Sequence, residues 1–346
     1  MALTESDVWT HLDGLTKPPR SLGRLEELAV RLCLIQGTLS PQTTPRRLVI
    51  FAADHEVSSA GVTAWPSSVT GAVVKAMCAG TAASTVLARL TNTDVVVVNV
   101  GTFDEPIDAR TPTNSTRYRT CRIRAGARNL AAEPALTADE FHRAWEIGAQ
   151  EAAAAAGDGV AVVLAGEMGI GNTTATSCLT VLLADVPVLT AVGRGAGTDD
   201  ETLLRKRAIV ESATTRARAL SRRDQLAAMA SVAGFEIIAM AGFFAAAAGL
   251  GLTIVLDGAI AGAAALVAEQ QSPGTSSCMI AAHLSTEPSY GPALERLGLT
   301  PFLDWNLRLG EGTGSLLLLP LLDAAVGMIT ELAPLSSLGP FEGRVN

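Results

Sequence analysis

The sequence predicts an α/β fold: a Rossmann-like, three-layer domain on a parallel sheet, with a small helical subdomain from the N- and C-terminal segments. Three observations predict it. Short, continuous apolar runs end at Gly or Asp, alanine-rich helical stretches separate these runs, and 48% of the 346 residues are hydrophobic against 17% charged. Continuous apolar strands that alternate with helices indicate a parallel sheet covered by helices on both faces.

The apolar runs give the predicted strands in chain order. They are Leu48–Ala53, Val95–Val100, Val160–Ala165, Val188–Val192, Leu252–Leu256 and Met279–Ala282. The helices predicted between them include Ala72–Arg89, Ala138–Ala156 and Glu201–Arg222. Ligands of parallel sheets bind beyond the carboxyl ends of the strands. The residues that follow the runs should therefore share one functional edge, namely Asp54-His55, Gly101, Gly166-Glu167, Gly193-Arg194, Asp257-Gly258 and His283-Leu-Ser285.

The stretch Ile237–Leu256 has no charged residue and is long enough to cross a bilayer. Gly249 and Gly251 divide it, however, and its last five residues are typical of a buried strand, so we expect a helix, a turn and a strand. The N-terminus lacks the profile of a signal peptide. Five cysteines without a CxxC pair fit a reducing compartment. We therefore expect a soluble, cytoplasmic protein without a membrane span.

The two ends of the chain are predicted to be helical without strands. Residues 1–40 and 321–346 would form the small helical subdomain, and residues 41–320 the large α/β catalytic domain. Prolines at 18, 19 and 41 punctuate the first segment. The alternative is that these segments cross to a partner subunit.

The charge balance argues against a nucleic-acid partner, because the net charge is −8 and the pI is near 5.1. The exception is Arg110–Arg128, which contains six arginines and no acid. Arg117, Arg119, Arg122 and Arg124 lie in short alternating patterns, as on the solvated face of an edge strand. A solvated edge is the interpretation, and a subunit contact is the alternative.

Two glycine-rich loops are candidates for binding an anion. Gly166-Glu-Met-Gly169-Ile-Gly171-Asn-Thr173 has the spacing of a phosphate-binding P-loop, but Asn172 takes the place of the lysine. Backbone N–H groups could still hold an anion there, which favours a monophosphate or phosphoribosyl group over a nucleoside triphosphate. A structural strand-to-helix turn is the alternative.

The second loop, Gly193-Arg-Gly195-Ala-Gly197-Thr-Asp-Asp200, leads into a predicted helix that carries Lys206. The chain has 23 arginines and only three lysines. A lysine in this background suggests a compact charge in a confined place. A solvated helix lysine is the alternative.

A third glycine-rich segment, Leu307-Arg-Leu-Gly-Glu311-Gly-Thr-Gly-Ser315, places one carboxylate between glycines. The glycines allow the backbone to approach a ligand closely. A helix should follow, with its free N–H groups and positive dipole end directed at the loop. This pattern predicts a functional carboxylate at Glu311, and a first-turn acid of a buried helix is the alternative.

Two other kinds of site are not predicted. Asp54, His55 and Glu56 are consecutive, so on an extended segment their side chains alternate between faces and cannot all ligate one ion. A Ser-His-Asp set would need a G-x-S-x-G elbow, which the sequence lacks. We expect neither a metal nor another cofactor.

Taken together, these motifs resemble the nicotinate-nucleotide–dimethylbenzimidazole phosphoribosyltransferase family over nearly the full length. The most specific matches are the Gly166–Thr174 loop and Leu307–Gly314. The supporting matches are Leu12-Asp-Gly-Leu-Thr-Lys-Pro-Pro, Ser21-Leu-Gly-Arg-Leu-Glu26, Arg128-Asn129, Glu133-Pro134, Gly193-Arg-Gly-Ala-Gly197, Gly234-Phe-Glu236, Leu256-Asp-Gly258 and His283-Leu-Ser-Thr-Glu-Pro288.

The resemblance implies a parallel α/β domain with a small helical domain, assembled as a homodimer. It implies that Glu311 is the catalytic base and Glu167 the second active-site acid. The phosphoribosyl unit would be held by Gly169, Lys206, Ser285, Arg308 and Gly310, with Gly171 in the same phosphate loop, and the incoming base would contact Met168 and Leu309. The implied reaction transfers the phosphoribosyl group of nicotinate mononucleotide to 5,6-dimethylbenzimidazole, which releases nicotinate and yields the lower-ligand nucleotide of cobalamin.

Several residues depart from the family pattern. Ala53-Asp-His-Glu56 replaces Gly-Asp-His-Gly, Trp65 precedes Pro66 where smaller or phenolic residues are usual, Ala72 replaces a glutamine, and Arg20 replaces a glycine. They bear on the identity of the azole base, since Trp65 would narrow its slot. The alternative functions are a phosphorylase or hydrolase of a nucleotide's glycosidic bond, and a non-catalytic nucleotide-sensing module.

Overall fold

The computed structural model describes residues 3–107, 116–195 and 197–339. Arg110 of the arginine-rich segment and residues 340–346 of the predicted helical subdomain lie outside the described residues. The helices are α1 (Glu5–Asp13), α2 (Arg24–Gln36), α3 (Ser68–Cys78), α4 (Ala83–Leu90), α5 (Ala138–Gly157), α6 (Asn172–Leu183), α7 (Val188–Ala191), α8 (Asp200–Ser221), α9 (Gln225–Ala230), α10 (Phe235–Gly249), α11 (Ala259–Gln271), α12 (Tyr290–Leu297) and α13 (Thr313–Glu331).

The strands are β1 (Arg46–Ala53), β2 (Asp94–Gly101), β3 (Arg117–Thr120), β4 (Val162–Met168), β5 (Thr253–Leu256), β6 (Met279–Ala281), β7 (His283–Ser285) and β8 (Leu303–Leu307). Six of them form one sheet in the order β3-β2-β1-β4-β5-β6, and every neighbouring pair is parallel. The predicted parallel sheet is therefore confirmed. Strands β1, β2 and β3 extend the sheet in one direction, and strands β4, β5 and β6 then extend it from β1 in the other direction. The strand order therefore reverses between β1 and β4. Ligands bind at such a reversal.

The strands are buried on both faces because alternate side chains enter two different cores. From β1, Val49 and Phe51 lie in the core that includes residues of α5, α6, α10 and α11, whereas Leu48 and Ile50 lie in the core that includes α1, α2 and α13. The three-layer architecture is thus confirmed. The terminal helices contribute directly to one layer, and their division into a separate subdomain stays a prediction.

One predicted strand is wrong. Val188–Val192 is not in the sheet; it forms the short helix α7, in which the Val192 N–H donates to the Val188 carbonyl at 3.0 Å. The preceding Pro187 is extended and begins this turn. Moreover, β4 pairs directly with β5, which leaves no place between them for a further strand. The second glycine loop consequently follows a helix.

The predicted helix Ala72–Arg89 is in fact two helices. The chain breaks between α3 and α4, where Gly80 has a φ of 75°. This value lies in the left-handed region that glycine tolerates without strain. The break brings Ser84, near the start of α4, to the carboxyl edge of the sheet, where it contacts Glu311.

The apolar stretch Ile237–Leu256 is a helix, a turn and a strand, as predicted, and it is mostly buried. Two other stretches, Ser68–Leu90 and Thr313–Glu331, are long and apolar enough to cross a membrane. Core helices of soluble proteins can have the same length and composition. The second contributes to the core, and the first is interrupted at Gly80. The edge predicted for the arginines is confirmed at β3, where Arg117 and Arg119 are exposed on the outermost strand.

Candidate active site

A cavity of about 290 Å³ lies at the carboxyl edge of the sheet, where the first glycine loop meets the Glu311 segment. Most of the predicted site residues line it together. These are Glu167, Met168, Gly169, Ser285, Arg308, Leu309, Gly310 and Glu311. Gly171 and Lys206 are not among the lining residues; both lie behind the wall.

Glu311 is held in an unusual backbone conformation. Its φ is 60°, between Gly310 at 86° and Gly312 at 78°. A non-glycine residue in the left-handed region costs about 1 kcal/mol or more, and such strain concentrates at functional sites. The segment also packs against Gly166 so closely that a Cβ there would lie 2.4 Å from the carbonyl carbon of Glu311. The backbone therefore fixes this carboxylate against the end of β4.

The Glu311 side chain is only 8% exposed, and its burial raises the pKa of the carboxyl group. The Ser84 hydroxyl opposes this by donating a 2.9 Å hydrogen bond to Oε2, which favours the ionised form. A carboxylate whose pKa moves toward neutrality is a stronger proton acceptor than an exposed one. The geometry suits a general base.

Helix α13 begins after this segment, as expected, but N–H groups at its start are already hydrogen-bonded and are not free to bind a ligand. Asp257 accepts hydrogen bonds from the backbone N–H groups of Gly312 at 3.1 Å, Gly314 at 2.7 Å and Ser315 at 3.2 Å. The expectation of free N–H groups at this helix start was therefore wrong. A carboxylate already neutralises the positive end of the helix and fixes the residue next to Glu311.

Glu167 lies at the end of β4, and the residue is also 8% exposed. The side-chain amide of Asn172 donates to its Oε2. Burial, followed by the nearby charges of Glu236, Asp257 and Glu311, raises the pKa of Glu167 to about 8. At neutral pH this group is thus mainly protonated when the cavity is empty.

The first glycine loop rests on a buried ion pair. His55 Nε2 and Glu236 Oε1 are 2.6 Å apart, and both side chains are at most 1% exposed. Cβ atoms on Gly169 and Gly171 would each lie within 3.5 Å of the His55 side chain. The pair and the loop therefore pack in direct contact, and the charge of Glu236 reaches Glu167.

Lys206 is buried and joins the two glycine loops. Its Nζ donates to the Thr173 hydroxyl at 2.8 Å and to the Gly193 carbonyl at 3.3 Å. Burial lowers its pKa to about 8, against the opposing effect of Glu287. Thr173 lines the cavity, so Lys206 lies one residue behind its wall.

The rest of the cavity offers an apolar slot. Trp65 and Leu309 stand at its mouth, 52% and 57% exposed. The walls are Val69, Val73, Met168 and Ile260. Trp65 therefore lines the same cavity as the predicted site residues, whereas the exposed Ala72 is not among the lining residues.

Sequence reasoning placed His55 and Asp257 at the functional edge, because each follows a predicted strand, and it matched Glu236 to a family segment, but it assigned none of the three a role. It did not single out Ser84. Ser84 gave no signal, because it lies 227 residues from Glu311 and only the fold brings them together.

Comparison with known proteins agrees with this geometry. The model of a family described as phosphoribosyltransferase matches residues 2–339. The chain is 44% identical to the nicotinate-nucleotide–dimethylbenzimidazole phosphoribosyltransferase of Ralstonia nicotianae, over 96% of this chain and 92% of that protein. It is 42% identical to the protein of that name from Salinispora tropica, over 94% and 92% of the two chains.

The crystal structure of CobT from Thermus thermophilus superimposes with a TM-score of 0.88 at 40% identity, covering 98% of this chain and 99% of that one. The α/β fold and the cavity at its strand reversal thus accompany a full-length match. The chain belongs to the phosphoribosyltransferase family defined by these proteins.

Proposed function

We propose that this protein transfers the phosphoribosyl group of nicotinate mononucleotide to 5,6-dimethylbenzimidazole or a related azole base. The observation that carries the proposal is the buried Glu311 carboxylate in a cavity that also contains a glycine loop and an apolar slot. An enzyme of this class needs these three elements: a base for the azole N–H, a place for the phosphate and a surface for the planar ring.

The reaction has one bond-forming and one bond-breaking event at the ribose C1′. One nitrogen of the neutral azole attacks C1′ while Glu311 accepts the proton from the other nitrogen. The bond from C1′ to the pyridinium nitrogen breaks, and its electron pair leaves with nicotinate. Positive charge that develops on the sugar is stabilised by the carboxylates of Glu311 and Glu167.

The residues that hold the phosphoribosyl group are Gly169, Gly171, Lys206, Ser285, Arg308 and Gly310 in this proposal. Support comes from the cavity, which Gly169, Ser285, Arg308 and Gly310 line directly. Lys206 acts by fixing Thr173 against the second loop. Met168 and Leu309 would contact the azole, because they belong to the apolar part of the same cavity.

The functional test is product analysis. Purified protein is incubated with nicotinate mononucleotide, with and without dimethylbenzimidazole, benzimidazole or adenine. The proposal requires nicotinate release that depends on the acceptor and formation of α-ribazole 5′-phosphate. Nicotinate release without acceptor would indicate a hydrolase or phosphorylase, and nucleotide binding without turnover would indicate a sensing module. Preference among the acceptors shows whether Trp65 restricts the slot.

A homodimer in the cytoplasm completes the proposal. Ser68–Leu90 supports the dimer, because only 39% of its most apolar 18-residue stretch is buried within one subunit and Leu90 is 74% exposed. A second copy of the chain would cover such a surface.

A further inference from the structure

Four carboxyl groups meet at the cavity, because Glu236, Asp257 and Glu311 all lie close enough to Glu167 to raise its pKa. Two of them have a histidine partner. Glu236 pairs with His55 at 2.6 Å, and Asp257 lies 3.6 Å from Nε2 of His283. Asp257 also accepts the three N–H groups at the start of α13.

The other two carboxyl groups have only neutral hydrogen-bond donors. Glu167 accepts from the amide of Asn172, and Glu311 accepts from the hydroxyl of Ser84. Within residues 3–107, 116–195 and 197–339, neither forms an ion pair with a lysine, arginine or histidine. Each is 8% exposed, so water screens their charges poorly.

Glu167 also packs against the backbone of the Glu311 segment. A Cβ on Gly310, the residue before Glu311, would lie 2.4 Å from Glu167 Oε1, and the charge of Glu311 is among the causes that raise the pKa of Glu167. Buried carboxyl groups at one site without a cation do not all ionise near neutral pH, because desolvation and repulsion between them favour the retention of a proton. One of these two groups therefore keeps a proton when no donor is bound.

The surroundings place that proton on Glu167. Its pKa is raised by burial and by the charges of Glu236, Asp257 and Glu311. Burial also raises the pKa of Glu311, but the Ser84 hydroxyl stabilises the ionised form of this carboxyl group. Repulsion comes only from the charge of Asp257. Glu311 is thus the carboxylate left free to act as a base.

We propose that Glu167 carries a proton in the empty cavity and releases it to solvent when a phosphoribosyl donor with a cationic ring binds. This inference rests on the proposed function, because the cation is the quaternary pyridinium ring of nicotinate mononucleotide. The ring also carries a carboxylate at C3, but its quaternary nitrogen is the atom bonded to the ribose C1′, and this nitrogen supplies the local positive charge that the pair lacks. Binding of the donor thus creates the second negative charge opposite the sugar before the acceptor reacts. Cleavage of the glycosidic bond returns the electron pair to the ring nitrogen, so nicotinate leaves as a carboxylate anion with a neutral ring nitrogen, and the compensating positive charge is lost.

Linkage fixes the sign of the pH dependence. A ligand that binds while one proton leaves gains affinity as pH rises, by about tenfold per pH unit below the pKa of the group, and this gain ends above it. Nicotinate mononucleotide should therefore bind about tenfold more weakly at pH 6 than at pH 7, once the titration of its own phosphate is subtracted.

Isothermal titration calorimetry at pH 7, in two buffers of different ionisation enthalpy, measures the protons released. We expect nearly one proton per site for nicotinate mononucleotide. Ribose 5-phosphate is the control ligand, because it has the same phosphate but no cationic ring. It also reports any proton that Lys206, with its pKa near 8, takes up when phosphate binds. Ribose 5-phosphate should release no proton from Glu167.

Two variants assign the proton. Glu167→Gln should bind nicotinate mononucleotide without releasing it, whereas Glu56→Gln, which changes a half-buried acid outside the cavity, should behave like the wild type. Release that persists in Glu167→Gln, or equal release with ribose 5-phosphate, would overturn the inference. If Glu167→Gln does not fold, the comparison of the two ligands on the wild type decides alone. Tight binding with buffer-independent enthalpy overturns only the proton release, while absence of both binding and transfer overturns the proposed function.

Discussion

At the scale of single residues, Glu311 is the group on which the proposed chemistry depends. Glu311→Gln keeps the shape of the side chain but cannot accept the azole proton. We expect kcat to fall by roughly 10²–10⁴-fold, the usual contribution of a positioned base, with little change in nicotinate mononucleotide affinity. Steady-state kinetics and a separate binding titration measure the two effects. Wild-type turnover in this variant would remove Glu311 from the mechanism.

Ser84 should set the pH at which Glu311 becomes active. Its hydroxyl stabilises the ionised carboxylate, so Ser84→Ala should raise the pKa of Glu311 further. Since a base works only above its pKa, the acidic limb of the kcat profile should move to higher pH, by about one unit for a hydrogen bond to a charged group. Thr85→Val is the matched control, because its hydroxyl donates to the Ala82 carbonyl instead. An unmoved limb would contradict the assignment.

Lys206 should affect binding of the nucleotide and not the proton transfer. Lys206→Ala removes both hydrogen bonds that connect the glycine loops, and it removes a buried positive charge beside the phosphate loop. We expect KM for nicotinate mononucleotide to rise by roughly 10–100-fold, as for loss of a charged hydrogen bond, with a smaller effect on kcat. An unchanged KM would show that this lysine does not serve the phosphate.

At the scale of elements, the contact between Asp257, which follows β5, and the start of α13 fixes the position of Glu311. Asp257→Ala removes the acceptor for three backbone N–H groups, which should lower the free energy of unfolding by about 1–2 kcal/mol, as for loss of a helix cap. Because the Glu311 segment then shifts, kcat should fall by roughly 10²-fold.

The control is Asp224→Ala, which removes the cap of α9, where Asp224 Oδ1 accepts from the Ala227 N–H at 2.9 Å. It should lose similar stability and keep its turnover. Thermal unfolding and kinetics of both variants separate stability from positioning. Equal kcat values in the two variants would show that Asp257 only stabilises the helix.

Arg20 shows how an element accommodates a departure from the family pattern. The residue has a φ of 60°, which explains why a glycine is usual there. Its guanidinium lies 3.5 Å from the centroid of the Trp9 ring and pairs with Asp13 at 3.1 Å. These contacts offset the strain of the left-handed backbone.

At the scale of the whole molecule, the assembly of two subunits is the open prediction. The subunit mass is 35.7 kDa, so sedimentation equilibrium should give twice that value at micromolar concentration. Dimer formation should cover the exposed apolar part of Ser68–Leu90. Hydrogen exchange in this segment should therefore slow as the protein concentration is raised. A concentration-independent mass of one subunit would contradict the dimer.

The sequence predicted the layers of the fold well because continuous apolar strands and periodic helices are local patterns. The prediction failed at Val188–Val192. This short apolar run finds no free strand edge between β4 and β5, because those two strands pair directly with each other. The prediction also joined α3 to α4, because a glycine's left-handed conformation is not visible in composition. Lys206 and Gly171 were predicted to bind the substrate, and both lie at the glycine loops but outside the cavity wall, because a motif gives spacing and not depth. Their binding role stays a prediction.

The sequence by itself determined the α/β class, and it placed the glycine loops, Glu167 and Glu311 at one edge of the sheet, because these depend on residue type and spacing. Only the tertiary structure decided how those acids behave. Ser84, Asp257 and the pair of His55 with Glu236 come from distant parts of the chain, and they establish which carboxyl group is stabilised as an anion and which retains a proton. Such electrostatic effects depend on distance and burial, which exist only once the chain has folded.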